Sequence, residues 1–200
     1  MPPASDDAFD LLYAEHDDPW YIEARWYERR KRAVLLAALP FDKIDRLFEP
    51  GCGNGALSAD LALRCITLVI SDTAPRALAN ARRRLASHAN IEFFCQTIPL
   101  QWPAGQFDCI VISELAYYLD APAVVLFIDR IKASLTPGGY LVACHWRAAF
   151  PQRTDSTAAL HNQFETTLNL TRLVHHEEHD FVLNVWSADA RSVAQREAIL

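Results

Sequence analysis

Residues 44–57 read Ile-Asp-Arg-Leu-Phe-Glu-Pro-Gly-Cys-Gly-Asn-Gly-Ala-Leu. A short apolar run ends in Glu49-Pro50, glycines follow at alternate positions 51, 53 and 55, and Ala56-Leu57 opens a helical stretch. A strand that turns sharply into a helix needs φ values that glycine adopts cheaply. The missing side chains let a ligand lie against the backbone, facing the N-H groups of the helix. NAD-binding domains place G-x-G-x-x-G here with an acidic residue about 20 positions on, whereas this spacing is G-x-G-x-G. The next apolar run ends in Ser71-Asp72, where a carboxylate can accept both ribose hydroxyls. Each acid also has a plainer reading: Asp72 as a cap for the helix from Ala74, and Glu49 as a strand-end surface carboxylate.

Outward from this loop, short apolar runs alternate with helical stretches, the pattern of a parallel α/β domain. Strands are expected at Ile44–Glu49, Ile66–Asp72, Ile91–Cys95, Phe107–Ser113 and Tyr140–Trp146, with helices near Leu57–Arg64, Pro75–Ala86 and Ala121–Leu135. Asp120 is the candidate cap of the last of these, and Thr136-Pro137-Gly138-Gly139 reads as its stop followed by a turn. A helix near Thr157–Asn169 and a terminal hairpin, Leu170–His175 with Phe181–Trp186, complete the pattern. Before the first strand, Asp18-Pro19-Trp20 has the form of a capped helix start, and apolar residues recur at helical spacing to Leu39. Earlier still, one weak helical stretch covers Ala8 to Glu15. The expected organisation is an N-terminal helical segment over residues 1–40 that covers the cofactor, a catalytic domain over 41–187 and a tail over 188–200.

The 200 residues suffice for one core, and 51% apolar with 22% charged residues is ordinary globular composition. No apolar run is long enough to span a bilayer and the N-terminus lacks a signal-like region, so a cytoplasmic protein without a membrane partner is expected. Five cysteines without C-x-x-C spacing read as reduced core residues. A net charge of −6 disfavours nucleic acid as a partner. The basic runs Arg29-Arg30-Lys31-Arg32 and Arg82-Arg83-Arg84 read as solvated helix faces. His175-His176-Glu177-Glu178-His179-Asp180 falls in the hairpin turn and reads as a solvated turn, so no metal is expected.

Glu49-x-Gly-x-Gly-x-Gly with Asp72, Phe107 to Glu114 as a fourth strand, and Leu135-Thr136-Pro137-Gly138-Gly139 before a fifth together resemble class I methyltransferases. A narrower resemblance, to the NodS nodulation N-methyltransferase family, rests on Asp17-Asp18-Pro19-Trp20 with Tyr27-Glu28-Arg29, on Phe48 to Cys52, and on Ser113-Glu114-Leu115-Ala116-Tyr117-Tyr118-Leu119. It covers roughly residues 17 to 146. The resemblance implies a Rossmann-like seven-stranded sheet, mostly parallel with an antiparallel C-terminal hairpin and helices on both faces. It implies S-adenosyl-L-methionine as cofactor, and as acceptor a small molecule such as an amino sugar or chitooligosaccharide. O-methylation of another metabolite and a non-catalytic S-adenosylmethionine-binding module are the alternatives, and monomer and homodimer both stay open.

Under that resemblance the cofactor residues are Trp20, Glu49, Gly51, Cys52, Gly53, Gly55, Asp72, Thr73, Ser113 and Glu114. The family usually places an acidic residue after the third strand for the adenine amino group. This chain has Cys95-Gln96-Thr97-Ile98 there, so the contact must come from Gln96, Thr97 or main chain at Ile98. Methyl transfer from a sulfonium is an in-line displacement that depends on alignment, and an amine acceptor must first be neutral. Glu114, at the carboxyl end of strand four, is the first catalytic candidate and equally a holder of the methionine end. His145 is a candidate base or orienting group, or a packed core histidine. Tyr117 and Tyr118 are placed to flank the methyl group or stack on a sugar, with helix packing as the alternative. Tyr27 and Trp146 are further acceptor-side candidates.

Overall fold

The computed structural model describes residues 6–200; residues 1–5 of the expected N-terminal segment lie outside them. Seven strands form one sheet in the order β3-β2-β1-β4-β5-β7-β6. These are β1 (Ile44–Pro50), β2 (Cys65–Asp72), β3 (Ile91–Cys95), β4 (Phe107–Ser113), β5 (Leu135–Trp146), β6 (Thr171–Glu177) and β7 (Phe181–Ser187). The first five pair in parallel, and β7 runs antiparallel to both β5 and β6. The order reverses between β1 and β4. In open α/β sheets such a switch point opens a crevice at the carboxyl ends of the strands.

The central strands read as continuous apolar runs because both faces are covered. Leu47, Leu68, Ile70, Cys109, Val111 and Val142 pack on one face with Leu35 of α2 (Trp26–Ala38), Leu57 and Leu61 of α3 (Ala56–Leu61), and Leu78 and Ala81 of α4 (Pro75–Arg84). Their neighbours Phe48, Val69, Ile110, Ile112 and Leu141 face the other way, against Phe127 and Ile131 of α5 (Ala121–Ser134) and Phe164 of α6 (Thr157–Leu168). Asp120 caps α5 by accepting the Ala123 N-H, and Ser156 caps α6 through Ala159.

Two expectations are corrected. The leading helix does not start at Asp18-Pro19-Trp20. The Asp18 carboxylate does accept the Ile22 and Glu23 N-H groups, at 2.9 and 3.1 Å, but Tyr21 takes a left-handed φ of 57°, so a turn forms and α2 begins only at Trp26. The weak stretch before it is a true helix, α1 (Asp6–Glu15). Thr136-Pro137-Gly138-Gly139 is not a turn ahead of the fifth strand but part of it. The ladder steps from Phe107 paired with Leu135 to Cys109 paired with Tyr140, and Gly138 at φ 81° absorbs the bulge.

Gly55, at φ 77°, starts α3 against α4: a Cβ there would come within 3.1 Å of the Ala81 Cβ and 3.2 Å of its Cα. Strain and backbone contact act together at this position. Gly55→Ala should therefore lower stability by more than about 1 kcal/mol, seen as a reduced denaturation midpoint with an unchanged slope. A midpoint within error of the natural protein would show that the loop relaxes freely.

Candidate active site

At the end of β1, Glu49 is only 3% exposed and accepts the Ser58 hydroxyl of α3 at 2.5 Å. Burial raises its pKa to about 8 against the opposing hydrogen bond from Ser58, with Asp72 adding to the rise. The glycine loop is tied to the neighbouring strand, since the Gly51 and Cys52 N-H groups donate to the Ser71 carbonyl at 2.8 and 2.9 Å. The Asp72 carboxylate then accepts the Gly53 N-H at 2.8 Å and the Ala74 N-H at 2.9 Å. Asp72 thus holds the turn into α4 and ties it to the glycine loop.

Beside Asp72, the Thr73 and Thr97 hydroxyls lie 3.1 Å apart, and the Thr97 N-H donates to Gln101 at 2.9 Å. The Gln96 Oε1 is buried without a hydrogen-bond partner. Ile98 turns its side chain to the apolar layer under α5. Cys52 is buried and its thiol is pushed well up by burial and then by Asp72.

α1 lies over this loop. A Cβ at Gly53 would come within 2.7 Å of the Tyr13 hydroxyl oxygen. Tyr13 packs edge-on against Trp20 at 5.7 Å and sits with Ala74 and Ala77 of α4, while Phe9 meets Tyr118 edge-on at 5.1 Å. Burial and the nearby Asp72 raise the Tyr13 pKa. Sequence reading named Trp20 as a cofactor residue and missed Tyr13; the signal was its place in a weak helical stretch ahead of the capping motif.

Past β4, Ser113 pairs with Cys144 of β5 and Glu114 takes a left-handed φ of 55°. Its carboxylate meets the Lys31 Nζ at 2.6 Å, accepts the Trp146 N-H at 2.9 Å and accepts the Tyr117 hydroxyl. Lys31 also meets Glu28 at 2.9 Å and lies 5.0 Å from the centre of the Tyr27 ring. Burial works to strip the lysine of its proton, but Glu114 and Glu28 outweigh it and hold the pKa above its ordinary value. The Tyr27 hydroxyl is buried without a partner. Trp146 stacks on Phe150 at 6.1 Å and 14°, and Tyr118 packs edge-on with Tyr117 at 4.9 Å. Burial and then Glu114 lift the Tyr118 pKa to about 12.

Lys31 corrects the reading of its basic run as a solvated face: it is 4% exposed. The i,i+3 spacing from Glu28 was the available signal. His145 lies at the back of this group rather than in it. It is fully buried, its Nε2 accepts the Ala116 N-H at 3.2 Å and its Nδ1 is 2.9 Å from His161 Nε2. Burial first, then Arg153 and Lys31, lowers its pKa to about 3. Among the described residues no group of three metal-ligating side chains converges. In the hairpin turn Glu178 pairs with Arg30 at 2.7 Å and with His176 at 2.6 Å.

The reversal of strand order, the glycine turn facing Asp72, and the single antiparallel strand β7 define the class I methyltransferase fold. The family described as Nodulation protein S (NodS) matches residues 4–172, and the chain belongs to it. Nodulation protein S of Rhizobium tropici is 34% identical over 151 residues, covering 74% of this chain and 63% of that protein. The crystal structure of the N-methyltransferase NodS from Bradyrhizobium japonicum WM9 with S-adenosyl-l-homocysteine superposes with a TM-score of 0.76 at 26% identity, over 90% of this chain and 96% of that one. A Pseudomonas syringae structure described as a candidate methyltransferase is 50% identical with a TM-score of 0.73, over 82% and 99%. The chain spans less than two thirds of the length of the first curated relatives, 63% and 64%.

The raised pKa of Glu49 gives a pH dependence of stability. The folded chain keeps the proton that the unfolded chain releases near pH 4.5, so the contribution is fully present below that pH and is lost as pH rises through about 8. Glu49→Gln, which keeps an oxygen for Ser58, should flatten the fall in stability across this window in denaturation series. A slope equal to that of the natural protein would assign the fall to other groups.

Proposed function

We propose that this chain transfers the methyl group of S-adenosylmethionine to the amino group of a small acceptor, namely an amino sugar at the end of a de-N-acetylated oligosaccharide, in the cytoplasm. The observation that carries the reading is the Glu28, Lys31 and Glu114 cluster at the ends of β4 and β5. Two carboxylates around one ammonium leave a single negative charge in a partly buried place, which favours a cationic acceptor over a neutral alcohol. The free thiols of all five cysteines suit a reducing compartment.

S-adenosylmethionine supplies an electrophilic methyl on a sulfonium. The residues present fit its other parts. The Asp72 oxygens accept ribose hydroxyls, since each carboxylate oxygen has more than one acceptor site. The partnerless Gln96 Oε1 accepts the adenine amino group, beside the Thr73 and Thr97 pair and Ile98. The loop from Gly51 to Gly55, with Glu49, Cys52 and Ser113 around it, gives the close backbone approach. Tyr13 and Trp20 form the cover that excludes water.

On the acceptor side, Glu114 takes a proton from the bound ammonium, which leaves a lone pair on nitrogen. That lone pair would face the sulfonium methyl, which bound S-adenosylmethionine would give up to nitrogen as its sulfur-carbon bond breaks and the electron pair returns to sulfur. Lys31 and the Tyr117 hydroxyl fix the carboxylate in place. Trp146, stacked on Phe150 and 39% exposed, offers a flat surface to a sugar ring, with Tyr118 beside it, and the Tyr27 hydroxyl is free to bond a sugar hydroxyl. His145 has both ring nitrogens engaged, so it positions rather than accepts the proton.

Incubation with S-adenosylmethionine and chitooligosaccharides carrying a free non-reducing-end amine should give a product heavier by one methyl group on nitrogen. A methyl on oxygen, or no product from any amine offered, would overturn the reading.

Two substitutions separate the roles. Asp72→Ala should weaken S-adenosylmethionine binding by about 1 to 3 kcal/mol in calorimetry, the cost of hydroxyl donors losing a charged acceptor. Glu114→Gln should slow transfer by about 10² to 10⁴ with cofactor affinity unchanged. Affinity that falls with the rate would instead make Glu114 a ligand of the methionine end.

A further inference from the structure

A line of hydrogen bonds runs from the loop after β4, through the sheet, to its outer edge. The Ala116 N-H donates to His145 Nε2 at 3.2 Å, and His145 Nδ1 lies 2.9 Å from Nε2 of His161 on α6. Nδ1 of His161 lies 2.7 Å from Nδ2 of Asn184 on β7, and Oδ1 of Asn184 lies 2.7 Å from Nδ1 of His175 on β6. His175 Nε2 then faces Glu177 at 3.4 Å. His145, His161 and Asn184 are 0, 4 and 2% exposed, and methyl transfer as set out above uses none of their protons.

Only one arrangement of protons satisfies the line. A backbone N-H is always a donor, so His145 Nε2 must be bare and its proton must sit on Nδ1. That proton needs an acceptor, so His161 Nε2 is bare and His161 carries its proton on Nδ1. This order requires the Asn184 amide to be turned over from the placement above, its oxygen to His161 and its nitrogen to His175, whose own proton is then on Nε2 facing Glu177. Amide oxygen and nitrogen are alike in shape, so the proton order alone decides between the two orientations. A second proton on either buried ring would set two donors face to face, and burial accordingly lowers the pKa to about 3 in His145 and about 2 in His161.

We propose that His161 and Asn184 are positioning residues of the methyl-transfer site, acting by setting the tautomer of His145. The segment they serve is under strain, because Glu114 is a non-glycine residue at φ 55°. It is held by the Glu114 N-H on the Cys144 carbonyl at 3.0 Å and by the Ala116 N-H on His145. The His145 ring also packs edge-on against Tyr117 at 5.3 Å, and Tyr117 hydrogen-bonds Glu114. Without an acceptor for its Nδ1 proton, His145 has no reason to keep Nε2 bare. The Ala116 N-H then loses its partner, and with it the setting of Glu114 and Tyr117. The effect on rate rests on the acceptor-side role given to Glu114; the proton order does not.

The test pairs imidazole 15N NMR of the full chain with kinetics of His161→Leu and His161→Gln. At neutral pH the natural protein should show His145 and His161 as neutral Nδ1-H tautomers and His175 as Nε2-H. His161→Leu should lower kcat about tenfold or more while the Kd for S-adenosylhomocysteine stays within about twofold. It should also speed amide exchange at Ala116. His161→Gln, whose side-chain oxygen reaches the place of Nε2, should recover most of kcat and of the protection. An Nε2-H or charged His145 in the natural protein would overturn the proposal. So would a folded His161→Leu with unchanged kcat, or a His161→Gln no better than His161→Leu. If the natural protein methylates no acceptor offered, the acceptor reading fails by itself, and the tautomers with Ala116 exchange still decide the positioning claim.

Discussion

The Asp72 carboxylate, with one oxygen on the Gly53 N-H and the other on the Ala74 N-H, joins the turns that follow β1 and β2, beside the point between β1 and β4 where the strand order reverses. Both backbone donors sit in strand-to-helix turns, where intrahelical partners are lacking. One charged side chain satisfies one donor in each turn and fixes their separation. Much else is placed relative to that bracket. The Ser71 carbonyl takes the Gly51 and Cys52 N-H groups, and the Tyr13 hydroxyl lies against the loop because Gly53 leaves room for a phenol.

A second constraint is electrostatic. Lys31, Glu28 and Glu114 are held at the junction of α2, β4 and β5, where an ion pair costs desolvation unless its remaining donors and acceptors are occupied. Here they are: Glu114 also accepts from Trp146 and Tyr117, and Lys31 lies against the Tyr27 ring. The cluster thus couples the N-terminal segment to the strand ends, and α2 belongs to the site as much as the sheet does. Arg30 pairing with Glu178 ties the same helix to the β6-β7 turn.

The polar line through His145, His161, Asn184 and His175 has a different character from these charged contacts. Its two buried rings, His145 and His161, are kept neutral by burial, and the proposed order follows from a single backbone donor at Ala116. Buried polar groups specify structure when each has a partner, and here the specification is of one proton per ring. The His145 ring, which sequence reading placed at the crevice, lies one layer behind it, on the face of β5 packed against Tyr117 and α6.

The sheet, the glycine turn and Asp72 were legible in the sequence because they rest on local rules. Strands buried on both faces are continuous apolar runs, and glycine is favoured where φ is positive. The β7-β6 hairpin was legible for the same reason. Three things were decided only by the tertiary structure. A left-handed Tyr21 cut the leading helix back to Trp26, although Asp18 still caps a turn as its motif implies. Burial of Lys31 between two carboxylates depends on where α2 lands on the sheet, and helical spacing from Glu28 marks Lys31 and Arg32 alike. The surroundings of His145 depend on His161 and Asn184, distant in sequence and brought together by α6 and β7. Local chemistry reads out from neighbouring residues, whereas the charge state of a buried ring or ammonium is set by partners that only the folded chain supplies.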